Sequence, residues 1–442
     1  MSRIGKIARR TFLIGTAAVA GGVAFGVYAA RKPAPNPLVP EEGEVALNPF
    51  IVVDGQGVTV IVPKAEMGQG VRTTWAALAA EELDIDPAAL RIEHGPPGKA
   101  YYNRGMGTQM LPVADYKLSG WQETLGRQMG VAGKFLNLQI TGGSTSAADG
   151  FEKMRHAGAS ARETLKEAAA QRLGWSRAVL KTEDGTVIAP DGTRIPYSEL
   201  AQEAAEIEPV KAELRPRSAW RYVGQSQPRH DQTPKATGTA EFSIDVRLPG
   251  LKFAALRRNP WQGGAMTGFD PAEALALPGV EAVIDLGDGV AVVANNSWSA
   301  MQGAEAIDWA AGPYPASTDE IFAALTGAME GKANSTFLDR GEVETLPEGA
   351  TEVSADYAVP YLSHAQMEPL NATALYHGDR MEIWSGNQIP IHSRDAAAEE
   401  AGLPAEAVTL HTTLMGGGFG RRGHIDFTRY AARLAVKMKG VP

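Results

Sequence analysis

Residues 415–423 read Met-Gly-Gly-Gly-Phe-Gly-Arg-Arg-Gly, and this stretch decides how the rest of the chain is read. Its glycines let backbone N–H groups approach a ligand closely, because no Cβ intervenes. Arg421 and Arg422 behind them can fork onto phosphate oxygens. A strand-like run (Val408, Leu410, Thr412, Leu414) precedes the stretch and a helix-like run (Phe427, Tyr430, Leu434, Met438) follows it. A glycine-rich turn from strand into helix is a ready anion site, so a phosphate-bearing cofactor is expected here.

Two further glycine-bearing loops lie upstream. Met67-Gly68-Gln69-Gly70 follows an alternating run (Val58, Val60, Val62) that reads as a half-buried strand. It precedes a helix over 73–83, with Trp75, Leu78, Ala79 and Leu83 on one stripe. Thr-Gly-Gly-Ser-Thr-Ser at 141–146 opens a long amphipathic helix, roughly 150–173, with Met154, Ala157, Ala161, Leu165, Ala168 and Leu173 inward. Three such loops raise the odds that several helix N-termini converge on one polyanionic ligand. Taken alone, Gly418-Phe-Gly-Arg-Arg-Gly423 also matches the G-x-G-x-x-G dinucleotide pattern. That fingerprint needs an acidic residue about 20 positions on, after a further strand, and the sequence reaches Pro442 first. A Rossmann oxidoreductase is therefore the minor alternative. A P-loop is excluded by the missing Gly-Lys-Ser/Thr.

The 442 residues suffice for roughly two to four domains. A net charge of −9, with no basic stripe interleaved with aromatics, argues against a nucleic-acid partner. With 0 Cys there is no disulfide, thiolate zinc site or iron–sulfur cluster in this chain. A redox role would need a partner to carry a cluster or haem. The histidines at 94, 156, 230, 377, 392, 411 and 424 show no metal-ligand spacing.

Arg9-Arg10-Thr11-Phe12-Leu13 opens an uncharged Gly/Ala-rich stretch to Ala30, followed by Arg31-Lys32. This reads as a twin-arginine export signal, with cleavage or retention as an inner-membrane anchor both open. The expected organisation is a signal over 1–32 and a Pro-rich linker over 33–48. A first cofactor-binding segment over 49–227 and a compact α+β module over 228–312 come next. A surface connection over 313–350 leads to a second cofactor-binding segment over 351–442. Within the module, 231–245 reads as an extended lead-in. Strands are expected at 251–256, 280–286 and 290–294, with a helix over 299–309. A helix over 393–402 is expected to start on Ser393 as N-cap and end at Gly402.

Together, Met67-Gly-Gln-Gly70, Thr141-Gly-Gly-Ser-Thr-Ser146, His364-Ala-Gln-Met-Glu-Pro369, Trp384…Gln388-Ile-Pro390 and Gly416-Gly-Gly-Phe-Gly-Arg-Arg422 resemble the molybdenum-binding large subunit of the xanthine oxidase family. The likeness is to its exported isoquinoline 1-oxidoreductase β and aldehyde dehydrogenase branch. It covers the chain after the signal and implies a multi-domain α+β fold. Lys235-Ala-Thr-Gly-Thr-Ala-Glu-Phe242 would lie in an α/β hammerhead module. The implied cofactor is molybdopterin cytosine dinucleotide. Amides of Phe419 and Gly420 would bond the molybdenum oxygens, and Gln388 would donate to an oxo ligand. Gly68, Gln69, Gly70, Gly143, Ser144, Thr145, Ser146, Gly417, Gly418, Arg421 and Arg422 would contact the pterin and dinucleotide. His364 and Glu368 read as a structural pair beside the site. The resemblance implies oxidation of aldehydes or N-heteroaromatics with water-derived oxygen. It also implies a small two-iron iron–sulfur subunit as partner, or a c-type cytochrome as acceptor. The place in the xanthine branch of a substrate-binding glutamate is taken by Gly423, so purines are not implied. No Gly-x-Gly-Glu base motif occurs in these residues. The expectation is a fragment, a non-catalytic remnant, or a split gene whose second polypeptide supplies the base.

Overall fold

The computed structural model describes residues 32–442 except 112, 114–116, 260–265, 267, 310–315, 336–340 and 343–344; the expected export signal lies outside the described residues. Among the described residues, no helix is long and apolar enough to cross a membrane. The chain forms two compact units, 1–251 with 365–442, and 252–364.

In the first unit, strands Val45–Asn48, Ile51–Asp54 and Gly57–Val62 pair antiparallel, and Arg91–His94 adds parallel to the third. Helix Val71–Leu83 makes the crossover that a parallel pair requires. Strand Gly57–Val62 is buried on both faces, where alternation alone suggested one. Helices Val71–Leu83 and Tyr197–Ala205 both pack on it, joining one core from Val45 to Ala204. Helix Ser146–Leu173 begins earlier than its apolar stripe suggests and lies along the 71–83 helix through small residues. A Cβ on Gly150 would stand 2.3 Å from Trp75 Cε2, and one on Gly158 would stand 2.7 Å from Ala79 O. Gly150→Ala should therefore cost about 1–3 kcal/mol through overpacking, read as a lower denaturant midpoint. An unchanged midpoint would show that the two helices do not meet there.

Buried carboxylates tie an irregular return segment to this core. Glu81 accepts the amides of Arg221 (2.9 Å), Tyr222 (2.7 Å) and Val223 (3.0 Å). Glu82 accepts Arg155 Nε at 2.9 Å. Asp84 holds Arg221 Nη2 at 2.7 Å together with Arg215. These ionised acceptors satisfy backbone donors that neither helix nor sheet provides for.

His94 ends its strand half-buried, with Nδ1 2.8 Å from Gly95 O and Nε2 buried without a partner. Burial pushes its pKa down to about 4. The folded state thus binds fewer protons than the unfolded chain between pH 4 and 6.5. This contribution is complete above pH 6.5 and is lost as pH falls through 4. Stability should drop by up to about 3 kcal/mol over that window, and His94→Phe should flatten the slope in urea titrations at stepped pH. An identical slope in the variant would contradict this.

Still in the first unit, strands Ala372–Tyr376 and Met381–Ser385 pair antiparallel, and Val408–Thr412 joins parallel to the latter. Helices Pro390–Ala401 and Asp426–Met438 cover them around Met381, Ile383, Ala397, Leu410 and Ala432. Ser393 does not cap the first of these helices. Pro390 occupies the first helical position after Ile389, placing Ser393 inside the helix and fully buried. Proline is preset for that position and needs no donor there. Residues 231–245 are not wholly extended: Gln232–Thr237 forms a short helix closed by Gly238 in left-handed conformation.

The second unit holds the antiparallel sheet of Val280–Asp285, Gly289–Ala294 and Phe253–Arg258, in that order. Helix Ser297–Glu305 packs on it, capped by Asn296. It stops before Asp308–Trp309, which pairs with Phe269–Asp270 instead of continuing the helix to 309. The expected surface connection contains helix Thr318–Glu330, started by a reciprocal Ser317–Glu320 capping box.

Candidate functional site

The loops singled out by sequence are joined within the first unit. Met415 N donates to Glu66 O at 3.1 Å, linking the turns at 415–423 and 66–70. Thr141 N donates to Gln388 O at 2.9 Å, and Gln388 Nε2 donates to Thr141 O at 2.7 Å. Gln388 N donates to Arg422 O at 2.9 Å. Gln388 is thus bonded to two of the three glycine loops at once. Its Oε1 is buried without a partner and faces Gly418, where an added Cβ would lie 3.0 Å from it and 2.8 Å from Met67 Sδ.

The 415–423 turn presents donors outward. Gly417, Phe419 and Gly420 all have positive φ (99°, 50° and 84°); for Phe419 this is uncommon backbone geometry. The carbonyl of Gly417 accepts Arg422 Nε at 2.9 Å. That of Gly418 accepts Gln366 Nε2 at 3.2 Å and Arg421 N at 2.9 Å. No hydrogen bond among the described residues takes the amides of Gly417, Gly418, Phe419 or Gly420. The turn therefore has the carbonyls of Gly417 and Gly418 filled and these four donors free, as an anion receptor requires. The Phe419 ring is 68% exposed, so it is not packed into the core.

Loop 141–146 is open in the same sense. Gly143 and Ser144 have φ of 61° and 55°, and no hydrogen bond among the described residues takes the Ser144 or Ser146 hydroxyl. Thr145 differs: it is buried, its hydroxyl donates to Gly142 O at 2.7 Å, and it accepts Asn103 Nδ2 at 2.7 Å. Beneath the loop, Lys64 is fully buried, donating to Ile140 O at 3.0 Å and pairing with Asp149 at 3.1 Å. Burial pushes its pKa down to about 8 despite that pairing.

Turn 66–70 is closed instead. Glu66 accepts the amides of Gly68 (2.9 Å), Gly70 (3.0 Å) and Arg72 (3.2 Å). Gln69 folds back, accepting Met67 N at 2.8 Å and donating to Ala65 O at 2.8 Å. In this turn the amides of Met67, Gly68 and Gly70 are taken by its own side chains, unlike those of 417–420. The arginines are committed as well. Arg421 grips Asp426 with two bonds of 2.8 and 2.7 Å. Arg422 is fully buried against Glu368. Glu368 pairs with Arg422. Sequence reasoning passed over Lys64, Asn103 and Arg229, whose Nη1 donates to Gly68 O at 2.7 Å. The one visible signal was the carboxylate directly preceding Met67-Gly-Gln-Gly70. Among the described residues, no cluster of His, Asp and Glu could hold a metal ion directly.

Fold and site thus define an α+β protein in which glycine-rich turns are joined and that at 417–420 leaves its amides without a partner among the described residues. The model of the molybdopterin cofactor-binding domain matches residues 328–442. Isoquinoline 1-oxidoreductase subunit beta of Brevundimonas diminuta is 28% identical, over 94% of this chain and 56% of that protein. A membrane-bound aldehyde dehydrogenase [pyrroloquinoline-quinone] of Gluconacetobacter polyoxogenes is 25% identical, over 99% and 55%. Quinoline 2-oxidoreductase from Pseudomonas putida 86 aligns at 22% identity with a TM-score of 0.38, over 49% of this chain and 34% of that one. The chain is a molybdopterin-binding, large-subunit-like member of the xanthine oxidase superfamily. It spans about half the length of the curated relatives it matches.

Proposed function

We propose that the chain binds molybdopterin cytosine dinucleotide as part of an exported hydroxylase or dehydrogenase for aldehydes or N-heteroaromatics. The observation that carries this reading is the row of free amides from Gly417 to Gly420 beside the buried, unpartnered amide oxygen of Gln388. Gln388 Oε1 is an acceptor, so the partner it calls for is an N–H donor of the bound group, such as a pterin N–H, and not one of its negative oxygens. The cradle at Gly418 also has no room for a side chain without displacing Met67 or Gln388. The group fits these residues. When bound, it would supply the two-electron redox centre and a water-derived oxygen.

Toward that group, the amides of Phe419 and Gly420 stabilise negative charge as an oxyanion hole does, at about 3–4 kcal/mol per donor in measured systems. Gln388 orients beside them through its bond to Thr141. Gly143, Ser144 and Ser146, at the N-terminus of helix Ser146–Leu173, take the phosphates, with about 0.3–1 kcal/mol from the helix end. Gly68, Gln69 and Gly70 shape the wall by close approach. The relatives named for isoquinoline and aldehyde oxidation support the substrate class. Electrons would pass to a small iron–sulfur subunit or c-type cytochrome. The module 228–312 is assigned the hammerhead role, and export follows the twin-arginine route.

The test is oxidation of benzaldehyde and quinoline with an artificial electron acceptor by the complex, run in 18O-labelled water. Label in the product supports the reading. Unlabelled product, or equal activity from cells grown with tungstate in place of molybdate, would end it.

A further inference from the structure

Arg422 follows the glycines directly, where a phosphate ligand would be sought, yet its side chain has no exposed surface. Its guanidinium is spent entirely on protein. Nε donates to Gly417 O at 2.9 Å, Nη1 to Gly386 O at 3.2 Å, and Nη2 to Glu368 O and Oε2 at 2.9 and 2.8 Å. Glu368 is equally saturated. Oε2 also accepts Gly416 N at 2.8 Å, and Oε1 accepts Ile244 N at 3.0 Å and Asn371 Nδ2 at 3.1 Å. The pair therefore ties together four stretches distant in sequence: around 244, 368, 386 and 416. The glycines at two of them are required sterically. A Cβ on Gly416 would meet Glu368 Cβ at 2.4 Å, and one on Gly386 would meet Met415 Cγ at 2.6 Å.

We infer that Arg422 and Glu368 are positioning residues: a planar fork and a four-coordinate carboxylate that fix the 415–423 turn with its carbonyls inward and its amides outward. Arg422 draws in the Gly417 carbonyl and Glu368 draws in the Gly416 amide, so the peptide planes that follow are left with their N–H groups turned away. An ammonium could not replace the fork, because it is a point charge without the fixed planar geometry that serves carbonyls on three stretches. What the turn binds rests on the proposed function; how it is held does not.

Hydrogen exchange with residue-level mass spectrometry tests the lock independently of any cofactor. In the wild type, the amides of Gly416 and Ile244 should be protected. In Arg422→Lys both should exchange roughly a hundredfold faster, since removing one partner of a buried pair leaves the other unsatisfied. Helix Ser146–Leu173 should keep its protection. Arg422→Met should behave alike; if it fails to fold, Arg422→Lys, which keeps the charge, decides alone. Wild-type protection in Arg422→Lys would overturn the inference by showing that charge alone suffices. Equal loss of protection in helix Ser146–Leu173 would also overturn it, by showing a general destabilisation. In protein made with molybdate, Arg422→Lys should retain under about a tenth of the wild-type molybdenum. Absence of molybdenum from the wild type would instead strike at the proposed function and leave the exchange result to judge the lock.

Discussion

Gln388→Ala should lower turnover by roughly 10²–10³-fold, the range seen when a single donor beside a developing charge is removed, the donor here being the Nε2 hydrogen not spent on Thr141 O. Molybdenum content should stay near normal. The backbone of residue 388 keeps both of its bonds, accepting from Thr141 N and donating to Arg422 O, so loop 141–146 and turn 415–423 remain joined without the side chain. Only the Nε2 bond to Thr141 O disappears, worth about 0.5–1.5 kcal/mol of stability. Gln388→Glu should be worse in both respects. It would set a carboxylate against the Thr141 carbonyl, which can only accept. Steady-state kinetics normalised to metal content checks both variants. Unchanged turnover in Gln388→Ala would make Gln388 a loop amide and nothing more.

Gly416→Ala should be the most damaging single methyl in the site. The new Cβ would stand 2.4 Å from Glu368 Cβ and 3.0 Å from Glu368 N. Neither is the mobile end of a side chain. Gly416 and Glu368 also exchange two bonds, Glu368 N to Gly416 O at 3.1 Å and Gly416 N to Glu368 Oε2 at 2.8 Å. Relief of the clash separates them and exposes the buried pair to loss of its partner. We expect at least about 3 kcal/mol of destabilisation, from overpacking and a broken buried ion pair together. Gly423→Ala is the matched control: open space surrounds its Cβ position and its φ is not positive, so it should fall within about 0.5 kcal/mol of the wild type. Denaturant midpoints compare them, and similar midpoints for the two would refute the packing described at Gly416.

The glycine turns were legible in the sequence because conformational permission is written in residue type. Gly143, Gly417 and Gly420 do adopt positive φ. Strand, turn and helix around 408–438 were legible from period, and Gly402 from its place after the last helical residue. Three things were not. Which turn offers its amides depends on a neighbouring carboxylate: Glu66 silences the turn at 67–70, whereas no side chain silences 417–420. The partners of Arg422 were not legible either, because Glu368 and Gly386 are distant in sequence and invisible to local reading. A helix start also slipped, to Pro390 in place of Ser393, and helix Thr318–Glu330 went unseen inside the expected surface connection. The same distance in sequence hides the partners of Glu81-Glu82-Leu83-Asp84 at the end of helix Val71–Leu83. Its charges are buried, matched by arginines and amides from 155 to 223.

The central claim is that the free amides of 417–420 and the open loop at 142–146 receive a molybdenum-bearing pterin dinucleotide. Protein purified from a host able to make that cofactor, analysed for molybdenum by plasma mass spectrometry and for nucleotide after acid hydrolysis, tests it most directly. The account predicts both molybdenum and CMP, in equal amounts, and their joint loss in Gly416→Ala. Protein free of molybdenum and of CMP from such a host would contradict it.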